Sequence, residues 1–423
     1  MPLIDIRFQE LHQAQKDIRN KLTRFSIIRA GRRFGKTTFL EEYGAAKVTR
    51  GLNVGWFAPS YKLISPSYGR VLERISPIKK SASKIDGLIT TITEGSFEVW
   101  SLDNEDAGRS RKYDLVIIDE ASLKEKGLRE TWEQAIKPTL LDTGGAAIMA
   151  GTPKGIDPDN YFYTACTDKS LGWTEFHAPT MLNPTLDRAG VAALKDEYPP
   201  LVYQQEFLAE FVDWNGSAFF AEESLLVDGK PIPYPTRCDQ VFAVIDTAVK
   251  DGVEHDGTGI IYYARNRIAG QPLIILDYDL IQIQGALLED WLPTVNQRLE
   301  QLAVETNARQ GNIGPWIEDK VSGTVLLQQA QRRGINASPI DGVLVAMGKE
   351  GRALSVSGYV FQGKVKITQY AHDKIVNFKG QSRNHLISQV CGFRMGTKVP
   401  HTMDLLDCFT YGVAIALGDS TGY

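Results

Sequence analysis

Cysteine is scarce in this sequence. Its 423 residues include four cysteines, Cys166, Cys238, Cys391 and Cys408, and no two of them form a CxxC pair. Zinc and dithiol redox sites usually carry such pairs, and disulfide-stabilised scaffolds carry many more cysteines. Both classes are therefore excluded, and we expect reduced, mostly buried thiols in a cytosolic protein.

Long hydrophobic runs are also missing. No run reaches the roughly 18 uncharged apolar residues that a membrane span needs. The first ten residues, MPLIDIRFQE, carry charges and no apolar segment, so they do not resemble a secretory signal. The composition, 43% hydrophobic and 23% charged, is that of an ordinary globular protein. The length favours two domains.

The chain has little net charge, −4, which by itself does not point to nucleic acid. The basic residues are unevenly distributed, however. Residues 1–100 hold 17 Lys and Arg against 9 Asp and Glu, and residues 349–398 hold 9 against 2. Two local basic surfaces could contact phosphate backbones. Solvated helix faces are the alternative, and we interpret residues 349–398 as the candidate DNA contact of the second domain.

The first half alternates short apolar runs with amphipathic stretches. The runs are FSIIRA, NVGWFAP, FEVWSL, LVIIDEA and AAIMAGTP, at 25–30, 53–59, 97–102, 115–121 and 146–153. Continuous apolar runs are typical of strands buried on both faces of a parallel sheet. The pattern predicts an α/β domain over residues 1–211 with a doubly wound, mainly parallel sheet.

A proline-rich stretch separates this domain from a second α/β section. Residues 212–236 contain Asn-Gly and Asp-Gly turn pairs and three closely spaced prolines, which predicts a linker. Residues 237–423 are then predicted to form three strands, at 241–249, 259–266 and 272–280, followed by a helix at 286–308 and a strand at 315–319. A helix from Val325 and a last helix at 405–417 complete this section. This is the order of RNase H-like folds.

A phosphate-binding motif follows the first predicted strand. The motif A/G-x4-G-K-T/S opens a predicted helix, and its residues, with the next threonine, are Ala30, Gly31, Arg32, Arg33, Phe34, Gly35, Lys36, Thr37 and Thr38. Small residues let the backbone N–H groups face phosphate oxygens at a helix N-terminus. Lys36 would reach the β- and γ-phosphates and Thr37 would bind Mg²⁺, so ATP and Mg²⁺ are the expected cofactors.

Two acids end the buried strand at 115–118. Asp119 would hold the water shell of Mg²⁺, and Glu120 would orient or deprotonate the attacking water. Core strands often end in an acid, but the phosphate loop about 80 residues earlier favours the catalytic interpretation. Thr152 ends a third strand and could contact the γ-phosphate or the catalytic water, although an ordinary turn is the alternative. Gln15 could contact adenine, although an ordinary surface glutamine is the alternative.

Acidic residues recur at element ends in the second domain: Asp246 and Glu318 or Asp319 at strand ends, Asp404 and Asp407 at the last helix, and Asp256 before the second strand. Converging carboxylates can hold two Mg²⁺ or Mn²⁺ ions for phosphodiester hydrolysis. Asp404 and Asp407 share a helix face. Glu318 and Asp319 face opposite sides of a strand, so one of them is expected at the site. Taken singly, each acid could be a surface residue or a helix cap.

With these motifs, the chain resembles the large terminase subunit of tailed bacteriophages over nearly its whole length. The segments that carry the resemblance are AGRRFGKTT, APSY, GRSRKYDLVIIDEAS, AGTPKG, YQQEFLAEFVDWNGSAF, VIDTAV, WIEDKVSG and HTMDLLDCFTYG. The resemblance implies that Gln15 contacts adenine, that Arg32 lies near the γ-phosphate, that Arg109 acts in trans on a neighbouring subunit, and that Thr152 couples nucleotide state to motion. The metal ligands it implies are Asp246, Glu318 or Asp319, and Asp404. The family often has two adjacent acids where this chain has Met403-Asp404, which leaves Asp407 as a possible substitute.

The resemblance also implies a function. It is ATP-driven translocation of double-stranded DNA into a procapsid, with endonucleolytic cutting of concatemeric DNA. The implied partners are the portal protein, a small terminase subunit and identical copies in a ring, and no membrane is expected. The implied location is the host cytoplasm at the procapsid portal. Two alternatives stay open, a helicase-like translocase and an ATPase scaffold, each with a non-catalytic RNase H-like domain.

Overall fold

The computed structural model describes residues 4–124, 126–214, 219–247, 257–266, 272–283, 288–319, 322–395 and 403–418. The chain divides into two units. The first comprises Met1–Lys195 with Pro200–Trp214, and the second comprises Asp196–Pro199 with Asn215–Tyr423. This division falls close to the start of the stretch that the sequence predicts as a linker.

The first unit is built on an eight-stranded sheet with the order β3-β4-β5-β2-β6-β7-β1-β8. In this spatial order, β5, β2, β6, β7, β1 and β8 are each parallel to their neighbours. The edge formed by β3, β4 and β5 is antiparallel. The strands are β1 Phe25–Ala30, β2 Asn53–Ala58, β3 Lys79–Ser83, β4 Leu88–Thr91, β5 Ser96–Ser101, β6 Leu115–Ile118, β7 Ala146–Gly151 and β8 Thr174–Ala178. The predicted doubly wound, mainly parallel sheet is confirmed.

Helices cover both faces of this sheet, which explains the continuous apolar runs. Along β1, Ile28 packs into one buried cluster and Ile27 into the cluster on the opposite face. Along β6, Ile117 packs into the same cluster as Ile28, and Ile118 packs into the same cluster as Ile27. The α-helices are α1 Gln13–Lys21, α2 Lys36–Val48, α3 Tyr61–Arg74, α4 Leu128–Thr131, α5 Tyr161–Thr167, α6 Arg188–Glu197 and α7 Pro200–Glu206.

The second unit contains a six-stranded sheet with the order β13-β12-β9-β10-β11-β14 and a two-stranded hairpin, β15–β16. β9, β10 and β11 form an antiparallel meander, and β12 and β13 continue from β9 in parallel. The strands are β9 Gln240–Asp246, β10 Thr258–Arg265, β11 Leu273–Ile281, β12 Asn312–Ile317, β13 Ser338–Pro339, β14 Val365–Ile367, β15 Val376–Phe378 and β16 Gln381–Arg383. The order β11-β10-β9-β12-β13 confirms the predicted RNase H-like topology.

The helices of this unit also lie on both faces of its sheet. Leu292 and Leu299 of the first helix share a buried cluster with alternate residues of β9, and the last helix contacts β9 and β10. The α-helices are α8 Leu288–Glu305, α9 Ser322–Arg332, α10 Gly342–Ala346, α11 Gly348–Phe361, α12 Gln369–Asp373, α13 His385–Val390 and α14 Asp404–Leu417.

The elements predicted from the sequence agree with the structure to within a few residues, whereas the β3–β4 hairpin, β8 and the short strands after β12 were not predicted. All four cysteines are free thiols, and Cys391 is less buried than the other three. Among the helices that the structure describes, none is both long and apolar enough to cross a membrane.

Candidate active sites

The first candidate site is the loop between β1 and α2. β1 ends at Ala30 and α2 begins at Lys36, so the loop meets the N-terminus of the helix. Gly35 has φ +95°, a left-handed conformation, and a Cβ there would lie 2.8 Å from Gln15 Nε2. The left-handed backbone therefore favours glycine at this position of the motif.

Five side chains meet at the start of α2. Lys36 Nζ lies 2.8 Å from Glu120 Oε1 and donates a hydrogen bond to Thr152 Oγ1 at 3.3 Å. Thr37 Oγ1 donates to Asp119 Oδ2 at 2.9 Å. The residues come from the carboxyl ends of three neighbouring parallel strands, β6, β7 and β1, where α/β sheets form their ligand sites. The structure thus brings together the predicted lysine, threonines and acids.

Burial and charge set the protonation of this site. Burial alone would lower the pKa of Lys36, but the carboxylates of Glu120 and Asp119 raise that pKa above its ordinary value. Burial, followed by the charge of Glu120, raises the pKa of Asp119 to about 7. Asp119 Oδ1 is buried and has no hydrogen-bond partner among the described residues. A hydrated Mg²⁺ fits this arrangement, because it would supply both a donor and a positive charge beside the carboxylate.

Two further residues predicted to contact the nucleotide, Gln15 of α1 and Arg32 of the loop, interact with other residues of the chain. The amide of Gln15 is buried, donating to Gly35 O at 2.9 Å and accepting from His12 N at 3.0 Å. Arg32 Nε forms an ion pair with Glu206, a buried residue at the end of α7 that the sequence did not single out. Their predicted contacts with adenine and the γ-phosphate stay predictions.

The remaining residues lie beside the loop or away from it. Thr38 lines a polar cavity of about 430 Å³, where Arg70 makes a two-pronged ion pair with Glu41. Arg109 is 56% exposed and pairs with Asp106 at 2.7 Å on the surface. The role towards a neighbouring subunit that the resemblance implies for Arg109 stays a prediction.

The second candidate site lies at the carboxyl ends of β9 and β12, two neighbouring inner strands of the six-stranded sheet. These strands are parallel, with Ile317 beside Ile245, so Asp246 and Glu318 emerge next to each other. Glu318 is buried and its side chain shares a hydrogen bond with Asp246. Asp319 is exposed and accepts a hydrogen bond from Thr324 Oγ1 at 2.6 Å. Of the two alternatives left open by the sequence, the structure places Glu318 with Asp246.

Helix α14 adds two more acids, both buried at its first turn. Asp404 Oδ2 accepts a hydrogen bond from Gly257 N at 3.2 Å. Asp407 Oδ2 lies 2.9 Å from Lys349 Nζ, and Asp407 Oδ1 is hydrogen-bonded to Arg352. The two residues share a helix face, as predicted, but their surroundings differ.

The carboxylates of this cluster strongly influence one another. Burial, followed by the charges of Asp407, Glu318 and Asp404, raises the pKa of Asp246 well above its ordinary value. Within the described part of the chain, no three acidic, histidine or cysteine side chains already stand in a geometry that would hold a metal ion. The donor set of Asp246, Glu318 and Asp404 is nevertheless the oxygen set that Mg²⁺ and Mn²⁺ prefer, and divalent cations would relieve its repulsion. Asp256 lies outside the described residues.

Sequence reasoning missed three residues of this neighbourhood: Lys349, Arg352 and Tyr411. Tyr411, one turn beyond Asp407, donates a hydrogen bond to Glu318 Oε1 at 3.1 Å. Its helical spacing from Asp407 was an available signal. Lys349 and Arg352 belong to the basic segment 349–398, which the sequence assigned to DNA as a whole.

The chain has sequence relatives among phage proteins, although no protein-family model matches it. It is 24% identical over 201 residues to the terminase large subunit of Escherichia phage T5, covering 46% of each chain. It is 24% identical over 269 residues to that of Thermus phage G20c, covering 53% of each. The chain thus spans about half the length of the curated relatives it matches.

The structural similarity covers more of the chain than the sequence similarity does. The large terminase of a thermophilic bacteriophage, solved in complex with ADP, superposes with a TM-score of 0.63 at 14% identity, covering 96% of this chain and 99% of that one. The predicted resemblance to large terminase subunits is confirmed by the sequence relatives and by this shared fold.

Proposed function

We propose that this chain, which resembles phage terminase large subunits in sequence and fold, is the ATPase and nuclease of a viral DNA-packaging motor. One observation carries the proposal: a phosphate-loop site and a carboxylate cluster occur in one chain, each at the carboxyl ends of sheet strands. ATP hydrolysis by the first unit drives double-stranded DNA into a procapsid. The second unit cuts concatemeric DNA.

The first site has the groups that hydrolysis of a phosphoanhydride requires. The loop amides and Lys36 bind the phosphates, and Lys36 carries the positive charge that the transition state needs. Thr37 and Asp119 would hold Mg²⁺, which neutralises phosphate charge when bound. Glu120 orients and deprotonates the attacking water, and ATP binding frees it from its ion pair with Lys36. Thr152, already hydrogen-bonded to Lys36, relays the state of the nucleotide.

The second site has the groups of a metal-dependent endonuclease. Asp246, Glu318 and Asp404 would hold Mg²⁺ or Mn²⁺, which supplies an activated water and charge stabilisation when bound. Tyr411 keeps Glu318 pointed into the cluster through its hydrogen bond.

The partners follow from the same proposal. Double-stranded DNA is the substrate of both units, and within 349–398 the exposed Lys379 and Arg383 on the β15–β16 hairpin are the candidate contacts. A ring of identical chains docks on the portal protein in the host cytoplasm, and a small terminase subunit selects the site of cutting.

The test uses the full chain and two substitutions. Lys36→Ala should reduce ATP hydrolysis at least about 100-fold and leave cleavage of plasmid DNA with Mn²⁺ unchanged, because the loop lysine acts only on nucleotide phosphates. Asp246→Ala should abolish cleavage of plasmid DNA with Mn²⁺ and leave ATP hydrolysis unchanged. EDTA should stop cleavage by the unmodified protein.

The two alternatives predict different results. A helicase-like translocase, or a scaffold, with a non-catalytic second unit would hydrolyse ATP but would not cut DNA with any divalent metal. ATP hydrolysis at the full rate in the Lys36→Ala protein would contradict the assignment of the phosphate loop.

A further inference from the structure

The carboxylate of Asp407 is held by two cations, one on each oxygen. Lys349 Nζ lies 2.9 Å from Oδ2, and Arg352 Nη2 is hydrogen-bonded to Oδ1. Asp407 and Arg352 are 5% and 4% exposed. Because two positive charges pair with Asp407, it attracts a divalent cation far less than a bare carboxylate does. Asp404 accepts a hydrogen bond from the backbone N–H of Gly257, and Glu318 accepts one from the hydroxyl of Tyr411.

Arg352 is fixed in place by a second contact. Its guanidinium centre lies 4.2 Å from the centroid of the Tyr411 ring, and the Tyr411 hydroxyl donates to Glu318 Oε1. A stacked arginine with a buried carboxylate partner cannot move far without exposing an uncompensated charge. Arg352 therefore fixes the position of Asp407.

Lys349, in contrast, is the partly exposed partner of Asp407. It is the second residue of α11, and 32% of its side chain is exposed. Burial alone would lower its pKa, but the carboxylates of Asp407, Asp246 and Asp404 raise it above the ordinary value. The ion pair with Asp407 holds a positive charge beside the carboxylate cluster, on a side chain that solvent partly reaches.

On the basis of the proposed nuclease function, we propose that Lys349 is a catalytic residue that contacts the phosphate being hydrolysed, and that Asp407 positions Lys349 instead of binding metal. In the reaction, an oxygen of water bonds to phosphorus, one P–O ester bond breaks, and the leaving oxygen takes up a proton. Lys349 keeps its own proton and forms no covalent bond. Its charge stabilises the negative charge that grows on the phosphate oxygens.

The test compares three variants of the full chain with the unmodified protein. Lys349→Met keeps the length of the side chain and removes the charge, Lys349→Arg restores a charge, and Asp407→Asn releases the lysine. Lys230→Met, at an exposed lysine of the same unit, is the matched control. Plasmid cleavage gives kcat and KM, and Mn²⁺ titration followed by electron paramagnetic resonance gives the metal bound, with Asp246→Asn identifying the nuclease site.

We expect Lys349→Met to lower kcat about 100-fold while the affinity for Mn²⁺ changes less than about twofold. Lys349→Arg should recover at least about a tenth of the activity. Asp407→Asn should retain Mn²⁺ binding at the nuclease site and lose cleavage. Lys230→Met should match the unmodified protein.

Each other outcome has a defined meaning. Normal cleavage by Lys349→Met would overturn the proposal. Loss of Mn²⁺ binding by a folded Asp407→Asn protein would also overturn it, because Asp407 would then be a metal ligand. In both cases the unmodified protein still binds Mn²⁺ and cuts, so the nuclease function would stand. If the unmodified protein neither binds Mn²⁺ through Asp246 nor cuts DNA, the proposed nuclease function itself fails.

Discussion

Glu318 and Asp319 are adjacent residues with opposite surroundings. Glu318 is buried and accepts a hydrogen bond from Tyr411, whereas Asp319 is exposed and accepts one from Thr324 of α9. The alternation of side chains along a strand predicted that only one of them would face the cluster, but it could not say which. The parallel register of β12 with β9 decides in favour of Glu318.

We therefore predict that Glu318→Gln lowers the rate of DNA cleavage at least about 100-fold, because a neutral amide binds a divalent cation poorly. Asp319→Asn should stay within about twofold of the unmodified protein. Both are measured by plasmid cleavage with Mn²⁺. Equal losses in the two variants would place both side chains at the site.

At the scale of secondary-structure elements, the cluster depends on how closely α14 approaches β10. Gly259 of β10 lies against the first turn of α14, and a Cβ there would be 3.0 Å from the Asp404 carbonyl carbon and Cβ. Cys408 Sγ donates to Gly259 O at 3.3 Å in the same contact. The missing side chain lets the helix carry Asp404 to the start of β10, where Gly259 pairs with Asp246 at the end of β9.

We predict that Gly259→Ala lowers the free energy of opening of α14 by about 1–3 kcal/mol, because the added methyl group pushes backbone atoms apart. Native-state hydrogen exchange of the α14 amides measures this free energy. Gly342→Ala is the control, because a Cβ there meets no atom within 4 Å. If Gly259→Ala changed the free energy of opening of α14 by less than about 0.5 kcal/mol, the contact between β10 and α14 would be loosely packed.

At the scale of the whole molecule, the proposed motor requires several copies of the chain. Arg109 is exposed and pairs with Asp106 on the surface of the first unit. The resemblance to large terminases implies that Arg109 would act on the ATP of a neighbouring copy. Such a role needs an assembly, since it depends on a site in another molecule.

We predict that Arg109→Ala lowers ATP hydrolysis by portal-docked, DNA-translocating assemblies about 1,000-fold, as expected when a transition-state arginine is removed. Hydrolysis by the dilute, isolated chain should change less than about twofold. Lys112→Ala, at another exposed cation that forms a surface ion pair with Asp142, is the control. An equal loss in the isolated chain would place Arg109 in its own site.

Much of the fold and of the first site could be predicted from the sequence, because both depend on local patterns. Buried parallel strands need continuous apolar runs, and the phosphate loop needs glycine at position 35 and a lysine at the helix start. The contacts of Arg32 with Glu206, 174 residues apart, could not be predicted, because no local spacing relates the two.

By itself, the sequence determined the two α/β units, the phosphate loop with Asp119 and Glu120, and the set of acids from which the second site is drawn. Only the tertiary structure decided between Glu318 and Asp319 and showed that Asp407 is neutralised by Lys349 and Arg352. The physical reason is that a motif requires residue types at fixed spacing, whereas the charge that a carboxylate experiences depends on which distant side chains the fold packs against it.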